Sequence, residues 1–268
     1  MMKPLSSQAF DAVTRLFHGV SGIRLSESKH ALVTGRLQRL ASEAGETDLE
    51  RYVDKLLRGG APAQEMTRLI DRLTTNETYF FREPQHYNDL ADRLALVPAG
   101  QDFKVWSAAS SSGEEAYSVA MLLGEQLGHA PWQVIGTDLS TAMVESARRG
   151  LYPMDRARMV PPAYLKRFCL KGQGDQTGQV LMDRSLRAKV HFDQANLVQP
   201  LPDWLPQFDV IFLRNVLIYF DTAAKAEIVR RVLGQLKPEG VLYTGHAESL
   251  GNLGLPVRAL ATAVYTHA

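Results

Sequence analysis

Cysteine is almost absent from this chain of 268 residues, since Cys169 is its single copy. A lone cysteine excludes disulfides within the chain and metal sites built from thiolates, and we expect no metal. No apolar stretch approaches the roughly 20 residues that a membrane-spanning helix requires. The segment Met1–Pro4 lacks the apolar core of a signal peptide. We therefore expect a cytoplasmic protein without membrane insertion.

The chain also has little net charge. It contains 30 Lys and Arg against 29 Asp and Glu, which gives a formal charge of +1 at pH 7. Nucleic-acid-binding proteins usually carry a broad basic surface, so we expect no nucleic-acid partner. Any basic recognition surface must therefore be local.

The glycine fingerprint of dinucleotide-binding folds, G-x-G-x-x-G, is absent as well. A strand predicted at residues 103–109 is instead followed by the small residues 110–113 and then by Glu114 and Glu115. Small residues let the backbone approach a ligand, and the two carboxylates suit a cationic group such as the α-amino group of an amino acid. Alternatively, both carboxylates only complement the dipole of the next helix.

The chain changes character near residue 73. Before it, apolar residues at helical spacing predict an all-helical domain over residues 1–73, with the third helix stopping at residues 59–62, Gly-Gly-Ala-Pro. After residue 101, strands alternate with helices, which predicts a mostly parallel sheet covered on both faces over 101–268. At about residues 165–193, short strands at 179–182 and 189–192 around glycine turns predict a small antiparallel insertion.

The junction at residues 74–100 is predicted to be a linker and a helix that contribute to the active site. It begins with an unusual cluster in which Asn76, Thr78 and Arg82 surround three consecutive aromatic residues. These three polar side chains can be brought to one side of a helix start. A buried helix or a plain linker has no need of such a cluster.

Further polar residues follow the predicted strands, where ligands bind in parallel sheets. Asp138 is placed to accept both hydroxyl groups of a ribose, although Asp138 or Ser140 could instead cap the next helix. Asn196 could hold the edge of an adenine, although the side chain of an Asn in a loop usually only stabilises a turn through hydrogen bonds to the backbone.

A second polar pair, Arg214 and Asn215, ends an apolar strand abruptly. The aromatic residues Tyr219 and Phe220 follow, and core packing explains them as well as a substrate contact does.

Four segments, residues 75–83, 105–118, 212–221 and 245–249, together closely resemble the CheR-type chemoreceptor glutamate methyltransferases. The resemblance covers nearly the whole chain. It implies a class I S-adenosylmethionine (SAM)-dependent methyltransferase, an α/β fold with a doubly wound, mostly parallel sheet, an N-terminal all-helical domain and a small antiparallel β insertion. It also implies methyl transfer from SAM to glutamates of bacterial chemoreceptor cytoplasmic helices in chemotaxis, which yields methyl esters and S-adenosylhomocysteine.

The resemblance also implies residue roles. Arg82 and Tyr219 would be catalytic, beside the reacting methyl group and the sulfonium. Glu115 would hold the methionine part of SAM, with Glu114 as the alternative in register. The implied cofactor-binding residues are Asn76, Thr78, Arg82, Glu115, Asp138, Asn196, Leu197, Arg214 and Asn215.

The implied reaction needs no strong base, because a glutamate carboxylate with a pKa of about 4.3 is already ionised near neutrality. Arg82 can pair with that carboxylate and fix its oxygen. His246 follows a strand and resembles a catalytic histidine, but we expect a structural role for it.

Two partner surfaces are expected. Lys29, Arg36 and Arg39 lie along one edge of a predicted helix and would bind the glutamate-rich receptor helices, although a solvated helix surface gives the same pattern. The β insertion resembles a subdomain that captures a receptor C-terminal pentapeptide by strand addition in some family members.

Two other functions remain as alternatives: a SAM-binding regulatory module without turnover, and a methyltransferase that acts on another protein or on nucleic acid. Methylation of a base would be expected to use an Asn/Asp-Pro-Pro-aromatic turn where residues 214–217 read Arg-Asn-Val-Leu. Loss of Arg82 or Tyr219 would favour the regulatory module, and both are present.

Overall fold

The structure is a computed structural model and describes residues 2–58 and 63–268. The predicted helix stop at residues 59–62 lies outside the described residues. The described residues of the N-terminal part form four α-helices and a short 3₁₀ turn (Glu27–Lys29), which confirms the all-helical prediction. The α-helices are α1 (Ser7–Ser21), α2 (His30–Glu43), α3 (Leu49–Leu57) and α4 (Ala63–Leu73).

Local sequence signals set the bounds of α1. The Ser6 hydroxyl accepts a hydrogen bond from the Ala9 amide at 3.2 Å, which caps the first turn. Gly22 ends the helix with a φ of 71°, a left-handed conformation that favours glycine. Between the caps, Val13 and Phe17 face the core of the helical domain and are fully buried.

The junction segment differs from its prediction. Asn76, Thr78 and Arg82 lie in a stretch without regular structure, and helix α5 (Pro84–Leu94) begins only after them. Pro84 occupies the first turn of α5, where no backbone N–H is needed. The three polar side chains are therefore presented by irregular chain rather than by a helix start.

The C-terminal part is built around a seven-stranded sheet in the order β6-β2-β1-β7-β8-β10-β9. The first five strands of this order are parallel, and β10 and β9 add antiparallel strands at one edge. The strands are β1 (Phe103–Ala108), β2 (Trp132–Asp138), β6 (Val190–Gln194), β7 (Phe208–Leu213), β8 (Leu236–Thr244), β9 (Val257–Ala261) and β10 (Val264–His267).

Helices connect these strands and enclose two buried cores, one on each face of the sheet. The longer helices are α6 (Glu114–Gln126), α7 (Thr141–Arg149) and α10 (Thr222–Leu233), and the shorter ones are α8 (Pro162–Phe168) and α9 (Arg184–Arg187). No helix in the described ranges is long and apolar enough to cross a bilayer.

A small antiparallel sheet is present, but its composition corrects the prediction. Its strands, in the order β3-β5-β4, are β3 (Leu151–Pro153), β4 (Cys169–Lys171) and β5 (Gln179–Met182). The segment predicted at residues 189–192 belongs instead to β6, where Phe192 pairs in parallel with Gly136 of β2. A Cβ at Gly136 would lie 2.5 Å from the Phe192 ring, so glycine makes room for this edge strand.

Hydrogen bonds join the helical part to the sheet domain. The Asp71 carboxylate at the end of α4 accepts from the hydroxyls of Ser140 at 2.7 Å and Thr141 at 3.0 Å, where α7 begins. The Arg36 guanidinium donates to the carbonyls of Leu73 and Thr74 at 3.0 and 3.1 Å. These contacts hold the start of the junction segment above the carboxyl ends of the strands.

Candidate active site

A cavity opens where β1, β2 and β7 end, and the α1–α2 connection and the junction segment cover it. All residues that the sequence assigned to catalysis or cofactor binding line it. They are Asn76, Thr78, Arg82, Glu115, Asp138, Asn196, Leu197, Arg214, Asn215 and Tyr219. Lys29 also lies on its wall, whereas Arg36 and Arg39 line a neighbouring groove on α2.

The turn after β1 directs the two adjacent glutamates, Glu114 and Glu115, to different sides of helix α6. Ala109 and Ser111 have φ values of 67° and 50°, and Gly113 has 96°, so the chain turns tightly into α6. Glu114 points away from the cavity, is fully buried, and pairs with Arg156 at 2.6 Å. Glu115 lines the cavity. Of the two residues, Glu115 is therefore the one that faces the cavity, and its contact with the methionine part of SAM stays a prediction.

Glu115 is held by polar partners on both carboxylate oxygens. Oε1 accepts from the Ser107 hydroxyl at 2.7 Å, and Oε2 lies 2.9 Å from Nη1 of Arg214. Burial raises the pKa of Glu115, and the Arg214 guanidinium opposes that rise. The carboxylate is thus fixed at the cavity wall with its cation already in place.

Arg214 forms ion pairs with two carboxylates, those of Glu115 and Glu83. Its side chain has no exposed surface, and Nη2 lies 3.2 Å from Oε2 of Glu83 while also donating to the Arg82 carbonyl. Burial alone would lower the pKa of Arg214, but Glu115 and Glu83 raise it above its ordinary value. Arg214 therefore remains charged and joins the junction segment to the ends of β1 and β7.

Asp138 faces the cavity at the end of β2. Its Oδ2 accepts from the Ser111 amide at 2.8 Å and its Oδ1 from the Ser140 amide at 2.9 Å. The N-cap of α7 is Ser140, whose hydroxyl accepts from the Met143 amide. Burial raises the pKa of Asp138 to about 6, and the backbone N–H groups oppose the rise.

The Asn196 amide is engaged by protein groups. Nδ2 donates to the Val20 carbonyl at 2.9 Å, and Oδ1 accepts from the Val198 amide at 3.2 Å. The side chain thus joins α1 to the loop after β6, and an adenine edge would have to use the second Nδ2 hydrogen or the second lone pair of Oδ1. Adenine contact by Asn196 and Leu197 stays a prediction.

Arg82 and Tyr219 occupy the same cavity from opposite segments. Arg82 donates to the Glu77 carbonyl at 3.1 Å, lies 5.6 Å from the centre of the Tyr79 ring, and forms no salt bridge with any described residue. Tyr219 ends a short 3₁₀ turn, and burial raises the pKa of its hydroxyl, so it is neutral near pH 7. Their catalytic roles stay predictions.

Two supporting carboxylates were missed by sequence reasoning. Glu248 accepts from the amides of Asn215 at 2.6 Å, Gly245 at 2.8 Å and Ile218 at 3.2 Å, and so fixes the turn after β7. Glu83 accepts from Nδ2 of Asn215 at 3.2 Å. The short polar sequence after β8 gave a signal for Glu248, whereas Glu83 had only its position next to Arg82.

The expectation of a structural His246 is untested. Its side chain is exposed and lies outside the cavity, with its ring 4.9 Å from that of His86. His86 is buried, and burial lowers its pKa to about 4.

A helix-covered, mostly parallel sheet with a cavity at the carboxyl ends of its strands is the architecture of doubly wound α/β proteins, among them the class I SAM-dependent methyltransferases. Comparison with protein families agrees. The "CheR methyltransferase, all-alpha domain" model matches residues 8–74, and the "CheR methyltransferase, SAM binding domain" model matches residues 76–265. The chain belongs to the CheR methyltransferase family and is a SAM-dependent methyltransferase. The predictions of family, fold class and enzyme class are confirmed.

Curated relatives cover almost all of the chain. The chemotaxis protein methyltransferase of Escherichia coli (strain K12) is 39% identical over 251 residues, which are 93% of this chain and 87% of that protein. The protein of the same name from Salmonella typhimurium is 37% identical, and the match covers 93% of this chain and 86% of that protein. Chemotaxis protein methyltransferase 2 of Pseudomonas aeruginosa is 35% identical and covers 97% and 92%.

Solved structures show a more distant likeness. A TehB-like SAM-dependent methyltransferase from Corynebacterium glutamicum is 15% identical with a TM-score of 0.39, and it covers 69% of this chain and 96% of its own. The glycopeptide N-methyltransferase MtfA is 16% identical with a TM-score of 0.39, and the match covers 74% of this chain and 62% of that chain.

Proposed function

We propose that the chain transfers a methyl group from SAM to glutamate side chains in the cytoplasmic helices of bacterial chemoreceptors, giving glutamate methyl esters and S-adenosylhomocysteine. The names of the curated relatives support a role in chemotaxis. One observation carries the choice of a carboxylate acceptor: the cavity contains a guanidinium, Arg82, without a salt-bridge partner in the described chain. Such a cation suits an incoming anion.

The cavity fits SAM by the chemistry of its donors and acceptors. The Glu115 carboxylate would accept hydrogen bonds from the α-amino group, and the Asp138 carboxylate would accept those of the ribose hydroxyls. The small residues of the turn after β1 lie between these two carboxylates and leave room for the cofactor. Asn76, Thr78 and Asn215 would add polar contacts from the cavity wall. When bound, SAM supplies an electrophilic methyl group on a sulfonium.

The protein's own contribution would be binding and alignment. Arg82 would pair with the acceptor carboxylate and direct one oxygen, as a guanidinium fixes both position and orientation. Neutral Tyr219 would place its hydroxyl and ring beside the reacting centre. The acceptor is already ionised, so no side chain needs to remove a proton. Alignment and exclusion of water would supply the rate enhancement.

The helical domain would contribute the receptor contact. Arg39 is exposed on the groove of α2 and Lys29 on the cavity wall, so a Glu-rich helix could contact both. Arg36 is half-buried and bonded to the Leu73 and Thr74 carbonyls, and its role would be to position the junction segment. With receptor cytoplasmic helices as acceptors, the enzyme would work in the cytoplasm.

The small sheet would serve as a second receptor contact. Its outer strands β3 and β4 each pair on one side only, with β5, within the described residues. An extended receptor C-terminal pentapeptide could add to such an edge through backbone hydrogen bonds. Calorimetry that shows no heat with a tail peptide at high concentration would count against this contact.

The test is incubation with methyl-labelled SAM and purified receptor cytoplasmic domains, followed by mapping of base-labile label. Label on specific glutamates of the receptor, lost on mild alkaline hydrolysis, is the expected result. Alkali-stable label, or label on nucleic acid in a parallel incubation, would contradict the proposed acceptor. SAM binding without any transfer would instead indicate a regulatory module.

A further inference from the structure

We propose that Glu83, His86 and His246 form a binding site for a divalent transition-metal ion, next to Arg214 but outside the cavity. One ligand atom from each of these residues lies within 4.8 Å of the other two. His86 Nδ1 is 3.5 Å from Oε2 of Glu83, and the rings of His86 and His246 are 4.9 Å apart at 68°. A small ion can reach all three side chains.

The fold brings these residues together from two elements. Glu83 and His86 are three residues apart at the start of α5, which places them on the same face of the first turn. His246 follows the end of β8 and approaches them from the sheet. His86 is 2% exposed and fixed, whereas His246 is exposed and free to adjust. Two donors are therefore preorganised, and the third can close on the ion.

Unpartnered atoms indicate that the protein alone leaves the cluster incomplete. Both ring nitrogens of His86 are buried, and the described residues give neither of them a hydrogen bond, whereas Oε2 of Glu83 is buried beside the Arg214 guanidinium at 3.2 Å. Buried polar atoms are nearly always satisfied by protein, water or an ion. Metal coordination would satisfy one His86 nitrogen and would use the Glu83 oxygen that faces it at 3.5 Å.

The donor set favours one class of ion. Two imidazoles and one carboxylate suit Zn²⁺, Co²⁺, Ni²⁺ or Cu²⁺, whereas Mg²⁺ and Ca²⁺ prefer oxygen ligands. The Arg214 guanidinium, 3.2 Å from Oε2 of Glu83, opposes the charge of the ion. We therefore expect reversible binding with a solvent-filled fourth position, weaker than that of closed structural zinc sites.

Metal binding would affect the residues of the cavity through Glu83. The same carboxylate contacts Arg214 at 3.2 Å and Nδ2 of Asn215 at 3.2 Å. An ion that draws Glu83 toward the histidines would weaken both contacts and lower methyl transfer. This regulatory consequence depends on the proposed function of the cavity, whereas metal binding itself does not.

Direct binding is the primary test. The full-length chain, purified with chelator and then freed of it, is titrated with ZnCl₂ in a calorimeter, and CoCl₂ is used to record visible absorption bands. We expect one ion per chain, and His246→Ala should weaken binding on the order of tenfold or more. The matched control is His191→Ala, an exposed histidine on β6, which should bind as wild type does.

His86→Gln provides a second variant, and its circular dichroism and thermal unfolding show whether it is folded. Loss of the ion in a folded His86→Gln protein supports the site. Undiminished binding in both His246→Ala and folded His86→Gln, or no binding by the wild type, would overturn the proposal and indicate that water satisfies these atoms. Binding without inhibition of methyl transfer would refute only the coupling through Glu83.

Discussion

Nη1 of Arg214 lies 2.9 Å from Oε2 of Glu115 where β1 and β7 end, and the Arg214 side chain is fully buried while that of Glu115 is only partly exposed. This pair joins the turn that would receive the methionine part of SAM to the end of the strand that would border the reacting centre. Since Arg214 also contacts Glu83, one guanidinium determines the positions of two carboxylates.

Replacing Arg214 by Ala should destabilise the protein strongly. The change leaves Glu115 and Glu83, both mostly shielded from solvent, without their cation, and breaking a buried ion pair in this way costs about 3–5 kcal/mol. Urea unfolding followed by circular dichroism measures the free energy of unfolding. The control is Arg230→Ala, which removes an exposed pair with Glu227 on α10 and should change stability far less. Equal losses in the two variants would contradict the proposed importance of the buried pair.

Replacing Arg82 by Ala should abolish methyl transfer and leave the fold intact. Arg82 has no salt bridge to lose among the described residues, so the free energy of unfolding should change by only about 0.5 kcal/mol. Loss of a group aimed at the acceptor should lower kcat/KM on the order of 100-fold or more. Arg149→Ala, an exposed arginine on α7, should retain activity. Turnover near wild type in Arg82→Ala would refute the catalytic assignment.

The sequence predicted the cavity wall well because strand ends in a parallel sheet meet at one edge. Asp138 and Arg214 each follow an apolar strand directly, and Glu115 follows the small-residue turn, so topology alone places them together. The conformation of the junction segment was harder to predict. Helix α5 begins only at Pro84, and residues 76–82 therefore lie in irregular chain.

Contacts between distant segments could not be predicted. The Asn196 amide is bonded to the Val20 carbonyl 176 residues away, a pairing that no local pattern encodes. The strand at residues 190–194 has alternating burial that fits an antiparallel insertion as well as a parallel edge. The parallel pairing of this strand with β2, where Phe192 lies against Gly136, decides between them.

SAM affinity should fall as the pH is lowered through about 6, because Asp138 has its pKa raised to about 6 by burial and only its ionised form can accept both ribose hydroxyls. Below that pKa, the contribution of Asp138 should decline by up to about tenfold per pH unit. Isothermal titration at pH 7.5 and pH 5 measures this change. Asp138→Asn should bind weakly with a flatter profile, and a profile parallel to that of wild type would exclude Asp138 as the titrating group.

The same carboxylate should affect stability in the opposite sense. The folded pKa of Asp138, about 6, exceeds its unfolded value of 3.8, so the folded protein holds the extra proton between these pH values. This group therefore makes folding less favourable as the pH rises through that window. The free energy of unfolding of Asp138→Asn relative to wild type should accordingly increase from pH 4 to pH 6.5. A constant difference would contradict the raised pKa.

Replacing Arg39 by Glu should weaken receptor binding without changing SAM affinity. Arg39 is exposed on the α2 groove and lies outside the cavity, so charge reversal should repel a Glu-rich helix. We expect a higher KM for the receptor domain, an effect that shrinks as salt screens the charges. Arg58→Glu on the far end of α3 is the control. A salt-independent change, or equal changes in both variants, would argue against α2 as the receptor surface.

Replacing Glu248 by Ala should lower kcat by releasing the turn that carries Asn215 and leads to Tyr219. The carboxylate accepts three backbone N–H groups, and Asn215 keeps a left-handed φ of 57° within that arrangement. Each buried donor left without a partner costs about 1–3 kcal/mol, so stability should fall as well. Glu248→Gln retains one acceptor oxygen and similar volume. It should therefore recover much of the stability but less of kcat, because its amide cannot accept from Asn215, Gly245 and Ile218 together. Full activity in Glu248→Gln would show that one oxygen suffices, whereas an unchanged kcat in a folded Glu248→Ala would refute the positioning role.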